Sequence, residues 1–289
     1  MAETASTTSL FAVEQAGKLL TDLNSQIRRA AKSPNADAVH DIRVDIRKIS
    51  QALRVFKPVF PGQERKKFRR KLKRIMELAG EVRNFDIALK LLKKSKSNAA
   101  QPLQSTFKKR RKRAARAFAK ALRRWIDQRL PSEWRSRLLA PAKNNQTDEP
   151  VTNVADQVIR SMTKDYYAQG NEAAKVFAPK KLHKFRIASK KLRYTLELFQ
   201  PVLPANPNGR LKQVELKQVE NVQRLLGRAN DYATTRRLIL QEGASKKLAA
   251  QLKKKERKRV EEFHCYWENE LAKPQPYQLV KRSAPAVVA

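Results

Sequence analysis

Two stretches of this chain place a histidine, an arginine and further cations at the same spacing, 143 residues apart. The first runs from His40 through Arg43, Arg47 and Lys48 to Phe56 and Pro58. The second runs from His183 through Arg186, Lys190 and Lys191 to Phe199 and Pro201. The chain holds three histidines, and two of them occupy this one equivalent position. On a helix, His40, Arg43, Arg47, Ser50 and Arg54 form a stripe one residue round from Ile42, Ile46, Ile49, Leu53 and Phe56. In the second copy His183, Arg186, Lys190, Arg193 and Glu197 lie beside Phe185, Ser189, Leu192, Leu196 and Phe199. The second stripe of each pair is the expected core side. The first sets cations about one turn, roughly 5 Å, apart. Such a row suits a linear anion. Arginine grips phosphate oxygens bidentately, lysine acts as a point charge, and a histidine among phosphates is drawn toward its charged form.

A basic stripe on one helix is ordinarily a solvated face, and a lone histidine near a helix start is ordinarily a cap or packing residue. The duplication argues otherwise. Asp41, Asp45 and Ser50 are replaced by Lys184, Ala188 and Arg193, yet the His and Arg positions are kept.

The positioning elements are helices. Strand-like alternation is absent, and the seven glycines and fourteen prolines fall where helices should stop. Helices are expected at 9–33, 38–57, 63–79, 81–95 and 102–129. They are expected again at 152–177, 181–200, 210–226, 228–241 and 244–272, with an extra turn near 131–140. The repeat continues past the histidine helix. Ala79-Gly80 to Phe85 matches Leu226-Gly227 to Tyr232, and Phe107 to Phe118 matches Leu252 to Phe263, at offsets of 147 and 145. Each half should form an antiparallel helical bundle, 9–140 and 151–272. The polar segment 141–150 is the expected linker, and 273–289 a C-terminal tail.

Composition limits the partner. With 64 Lys plus Arg against 27 acidic residues, the 289-residue chain carries a formal charge of +37. That exceeds what solubility needs, and its self-repulsion calls for a polyanion: nucleic acid, an anionic membrane surface or a phosphate polymer. Residues 1–150 carry net +22 and residues 151–289 net +15, so both halves are basic. A single cysteine, Cys265, excludes an internal disulfide and suggests a reducing compartment. No secretory signal and no apolar run of membrane-spanning length is expected, which makes a soluble intracellular protein the default.

These residues resemble the CHAD family, the conserved histidine α-helical domain, over about residues 9–272. The family pattern is a His-x-x-Arg-x-x-x-Arg/Lys-Arg/Lys helix ending near Phe-x-Pro, present twice. Each copy is followed by a Leu-Gly segment ending in Arg-Asp or Asn-Asp. Here these are His40, Arg43, Arg47 and Lys48 with Arg83-Asn84, and His183, Arg186, Lys190 and Lys191 with Asn230-Asp231. The resemblance implies an all-α fold of two four-helix bundles related by a pseudo-twofold axis, with a basic central groove that binds inorganic polyphosphate. It also implies association with polyphosphate granules and with polyphosphate-related enzymes. Two departures are present: Asn84 stands where Asp is usual, and Glu220 is the counterpart of Lys73. The second half is therefore expected to rely on Lys217, Arg224 and Arg228, and the first on Lys73, Arg74 and Arg83. Basic clusters at 66–74, 108–113 and 253–259 extend the expected phosphate track.

Catalysis is not expected, nor a cofactor. There is no Gly-rich phosphate loop. His264 and Cys265 are adjacent and so face different ways, and core packing is the expected role of both. Asp41, Asp45, Asp86 and Asp231 are too dispersed for a metal site. Glu268, Glu270 and Lys273 approach the Glu-x-Glu-x-Lys signature of triphosphate tunnel enzymes, but the lysine is one place late and the required β-barrel has no strands. The competing reading is an architectural protein contacting nucleic-acid backbones. Against it, only 7% of residues are aromatic and they fall mostly on core stripes, which leaves no evident base-stacking platform.

Overall fold

Apolar residues at three- and four-residue spacing run through nearly the whole chain, and the computed structural model is helical accordingly. It describes residues 7–95, 97, 99–128, 130–139, 149–203 and 210–272. The tail 273–289 and all but the last two residues of the expected linker lie outside the described residues. The first half holds α1 (Thr8–Lys32), α2 (Ala36–Val55), α3 (Gly62–Lys93), α4 (Ala100–Asp127) and the short α5 (Leu130–Leu139). The second holds α6 (Val151–Ala174), α7 (Pro179–Phe199), α8 (Arg210–Gln241) and α9 (Lys246–Tyr266), closed by a π-helical turn, Trp267–Leu271.

Local chemistry sets the ends. The Asn35 side chain accepts from the Ala38 amide at 2.9 Å and opens α2, and Ser245 does the same for Leu248 at 3.2 Å at the start of α9. Pro179 sits at the first positions of α7, where its missing N–H costs nothing. Gly243 takes φ +65° in the turn between α8 and α9, a region open to glycine.

One expectation fails in both halves. Gly80 and Gly227 do not end helices; α3 and α8 each run unbroken for 32 residues. The reason is in the apolar spacing. Phe68, Leu72, Ile75, Ala79 and Val82 are all buried and step by four and three straight past Gly80. An interior glycine costs about 1 kcal/mol relative to alanine, less than burying even one more core side chain returns.

Equivalent helices of the two halves meet each other: α2 packs on α7 and α3 on α8. Phe56 and Phe199, matched in the repeat, are in edge-to-face contact at 5.5 Å. Leu92, Leu103 and Phe107 share one buried cluster with their counterparts Ile239, Leu248 and Leu252. Gln51 on α2, itself buried, donates to Thr195 Oγ1 on α7 at 2.9 Å. The halves thus share core as well as having their own.

Candidate polyanion-binding groove

The stripe beside the core side of α2 and its counterpart on α7 face a common space, because α2 and α7 pack together. There the structure forms a groove of about 900 Å³. Its α2 wall carries Arg47, Ser50 and Arg54, and its α7 wall Arg186, Lys190 and Lys191. The third wall is α3, with Lys66, Arg69, Arg70 and Lys73. These four follow helical spacing, one face of a helix whose sequence reads as basic nearly all round. Ile46, Met76, Ile187 and Tyr194 provide the apolar part of the lining.

Arg43 is anchored at the edge of this space. Its Nη1 donates to the Met76 carbonyl on α3 at 3.1 Å. Gly80 explains how it fits: a Cβ there would lie 3.0 Å from Arg43 Nη1. The second copy is wired differently. Gln223, at the position of Met76, donates to the Ser189 carbonyl on α7 at 2.9 Å. Arg186 is left with a buried Nε that has no partner, and a Cβ on Gly227 would touch nothing.

Arg43, Arg47, Arg83, Arg186 and Lys190 form no salt bridge with any described carboxylate. Burial, then the guanidiniums of Arg47, Arg83 and Arg186, lower the Arg43 pKa to about 10. Burial lowers Arg186 as well, partly opposed by Asp231. Lys190 is affected most: burial first, then Arg186, Arg47 and Arg43, hold its ammonium down to about 6. Asp231 on α8 counters Arg186 and Lys190, and its own burial raises its pKa. His40 is exposed at the edge, yet desolvation and Arg83 hold its pKa below the usual imidazole value.

The sequence-derived candidates divide by position. Arg47, Lys73, Arg186, Lys190 and Lys191 line the groove. Arg43, Arg83 and His40 adjoin it through the same field of charge. His183 and Asn230, with Arg186 again, line a second groove between α7, α8 and α9. Lys48 instead pairs across the halves with Glu197, 3.6 Å away. Arg74 points to Glu77 at 3.9 Å, and Lys217 and Arg224 are exposed on α8 and line neither groove. Arg54, a member of the first stripe, and Lys66, Arg69 and Arg70, in the 66–74 cluster expected only to extend the phosphate track, line the groove itself. The signal for three of them was the 66–69/70–73 spacing within α3. His264 stacks edge-on against Phe263 at 5.6 Å, while Cys265 is exposed rather than part of the core. Among the described residues no three His, Cys, Asp or Glu side chains group as a metal site, and no helix is long and apolar enough to cross a membrane.

A family model for the CHAD domain matches residues 14–240. The chain belongs to the CHAD family. The match spans α1 to most of α8 and leaves α9 outside it. The crystal structure of the CHAD domain from the plant Ricinus communis is similar over 94% of this chain and 91% of that one, with TM-score 0.69 at 20% identity. A structure of PptA from Streptomyces chartreusis is similar over 91% and 98%, with TM-score 0.65 at 14% identity. At such identities the likeness shows the shared all-helical CHAD fold alone. No curated protein matches the chain. CHAD domains are generally binding domains, and the family is linked to polyphosphate binding in general.

Proposed function

We propose that this CHAD protein binds inorganic polyphosphate, without turning it over, in the groove between α2, α3 and α7. The observation that carries the reading is the convergence of desolvated, unpaired cations from both halves on one space. Arg43 and Arg47 come from the first histidine helix, and Arg186 and Lys190 from the second, where Asp231 partly offsets Arg186 and Lys190. Bringing such charges together is costly in the free protein. A bound polyanion converts the cost into attraction, and Arg186 Nε supplies a donor waiting for an oxygen. The meeting of equivalent residues supports an approximate twofold relation between the halves within one domain, residues 9–272. A single flexible chain of phosphates then lies between two similar walls.

The remaining candidates take lesser parts in this reading. Arg83 and His40 adjoin the groove, and His183 and Asn230 line the neighbouring one. Lys48 ties the two histidine helices together, and Arg74, Lys217 and Arg224 add long-range attraction. Recruitment to polyphosphate granules, or regulation of enzymes that act on polyphosphate, is the setting we propose.

The test compares polymers. Long-chain polyphosphate, duplex DNA and single-stranded RNA are titrated at matched phosphate concentration and rising salt. Polyphosphate should win at physiological salt, because it carries no bases to accommodate and Tyr194, the groove's aromatic residue, is buried. DNA binding as tightly as polyphosphate, and as resistant to salt, would overturn the proposal.

A further inference from the structure

The second groove, about 740 Å³ between α7, α8, α9 and the loop before α7, is unlike anything charge alone explains. The first half shows how the equivalent place is closed. Arg111 on α4 donates its Nε to Asp86 on α3 at 2.9 Å and its Nη2 to the Pro34 carbonyl at 2.8 Å. That strut joins α3, α4 and the loop before α2. Carried through the repeat, Arg111 becomes Glu256, Asp86 becomes Ala233 and Pro34 becomes Phe177. Both side chains of the strut are lost together, and Phe177 puts a large apolar side chain where Pro34 stood. Glu256 turns to Arg236 on α8 instead, 3.4 Å away, and the space stays open.

What the opening presents is mostly apolar. Leu182, Leu226 and Val260 line it, and Phe177 and Leu240 stand at 44% and 48% exposure. Val176, next in the loop, is 49% exposed. These are three of the five large hydrophobic side chains exposed among the described residues, so they mark one place. Cations flank it: Arg186 on the α7 side, beside His183, and Arg237 on α8.

We infer that this groove docks an acidic segment of a partner protein that presents apolar side chains along one face. The apolar lining and protruding Phe177 and Leu240 take the anchors, as in helix-in-groove recognition. The flanking cations and the formal charge of +37 select an acidic partner and repel a basic one. The inference does not rest on polyphosphate binding.

A peptide-display selection on the full chain tests it, with a Phe177→Ser/Leu240→Ser variant as the counter-target. Enriched peptides are then synthesised and measured by fluorescence anisotropy at physiological salt. The expected peptides are acidic, with apolar residues three and four apart. They should lose at least about tenfold in affinity for the serine variant, the scale of one lost anchor. An Ala233→Asp/Glu256→Arg variant, which rebuilds the first-half strut, should lose them too. Both variants should hold long-chain polyphosphate within about twofold of the parent, which separates this site from the other. Peptides that bind the variants equally well, no enrichment over the counter-target, or groove-dependent ligands without apolar residues would each overturn the inference.

Discussion

Lys190 carries the sharpest consequence at the scale of single residues. Its pKa of about 6 in the free protein means that near pH 7.5 the side chain is mostly neutral. A polyphosphate chain laid against it restores the ammonium, so binding must take up protons. Calorimetry in buffers of different ionisation enthalpy should show uptake approaching one proton per site at pH 7.5, and Lys190→Met should abolish most of it. Affinity should rise as pH falls toward 6, with His40 adding to the gain because its pKa is also depressed. The free protein has the opposite dependence. Where the folded pKa lies below the unfolded one, the unfolded chain holds the extra proton between about pH 6 and the ordinary lysine range. This contribution therefore makes stability rise with pH across that window. Lys190→Met should flatten the rise and raise Tm at pH 7 by a few degrees while weakening polyphosphate binding. The sequence made Lys190 legible as a member of a stripe. It did not reveal the depressed pKa, because both the burial and the approach of Arg43 and Arg47 depend on α2 packing against α7.

Among the elements, the two glycine-bearing helices carry a paired prediction. Gly227 has open space where a Cβ would stand, whereas at Gly80 the Cβ would press on the Arg43 guanidinium. Gly227→Ala should stabilise the protein by about 0.5–1 kcal/mol, read by chemical denaturation, and leave polyphosphate affinity unchanged. Gly80→Ala should gain less stability and lose several-fold in affinity, because Arg43 must leave its seat on the Met76 carbonyl. Equal behaviour of the two variants would contradict the role given to Gly80. Most helices were readable from period and caps to within a few residues. The glycines misled because their ordinary meaning as stops competes with an apolar stripe that runs through them, and only the stripe's continuity from Phe68 to Val82 decides the matter. Similarly, cations all round the start of α3 gave no preferred face until α7 was known to lie opposite.

For the whole molecule, duplication and charge act together. The halves share buried clusters, with Leu198 and Phe199 of α7 in the first-half core and Ile239, Leu248 and Leu252 against Leu92 and Phe107. Unfolding should accordingly be one cooperative transition in calorimetry, shifted upward by polyphosphate in proportion to the logarithm of its concentration. Two separated transitions would show that the halves are independent. The all-helical CHAD fold was legible in advance because the repeat exposed which residues could not vary together by chance. The asymmetry between halves was not, since Arg111 and Glu256 acquire meaning only beside Asp86 and Ala233.

The central claim is that cations from both halves grip one anionic chain, beyond what net charge would do. It is tested by long-chain polyphosphate affinity at physiological salt for three variants of equal formal charge change. These are Arg43→Ala/Arg47→Ala in the first half, Arg186→Ala/Lys190→Ala in the second, and Lys253→Ala/Lys254→Ala on the exposed face of α9. Each groove variant should lose about 10- to 100-fold, the scale of charge-assisted hydrogen bonds, and the α9 variant less than about threefold. Equal losses for all three would contradict it.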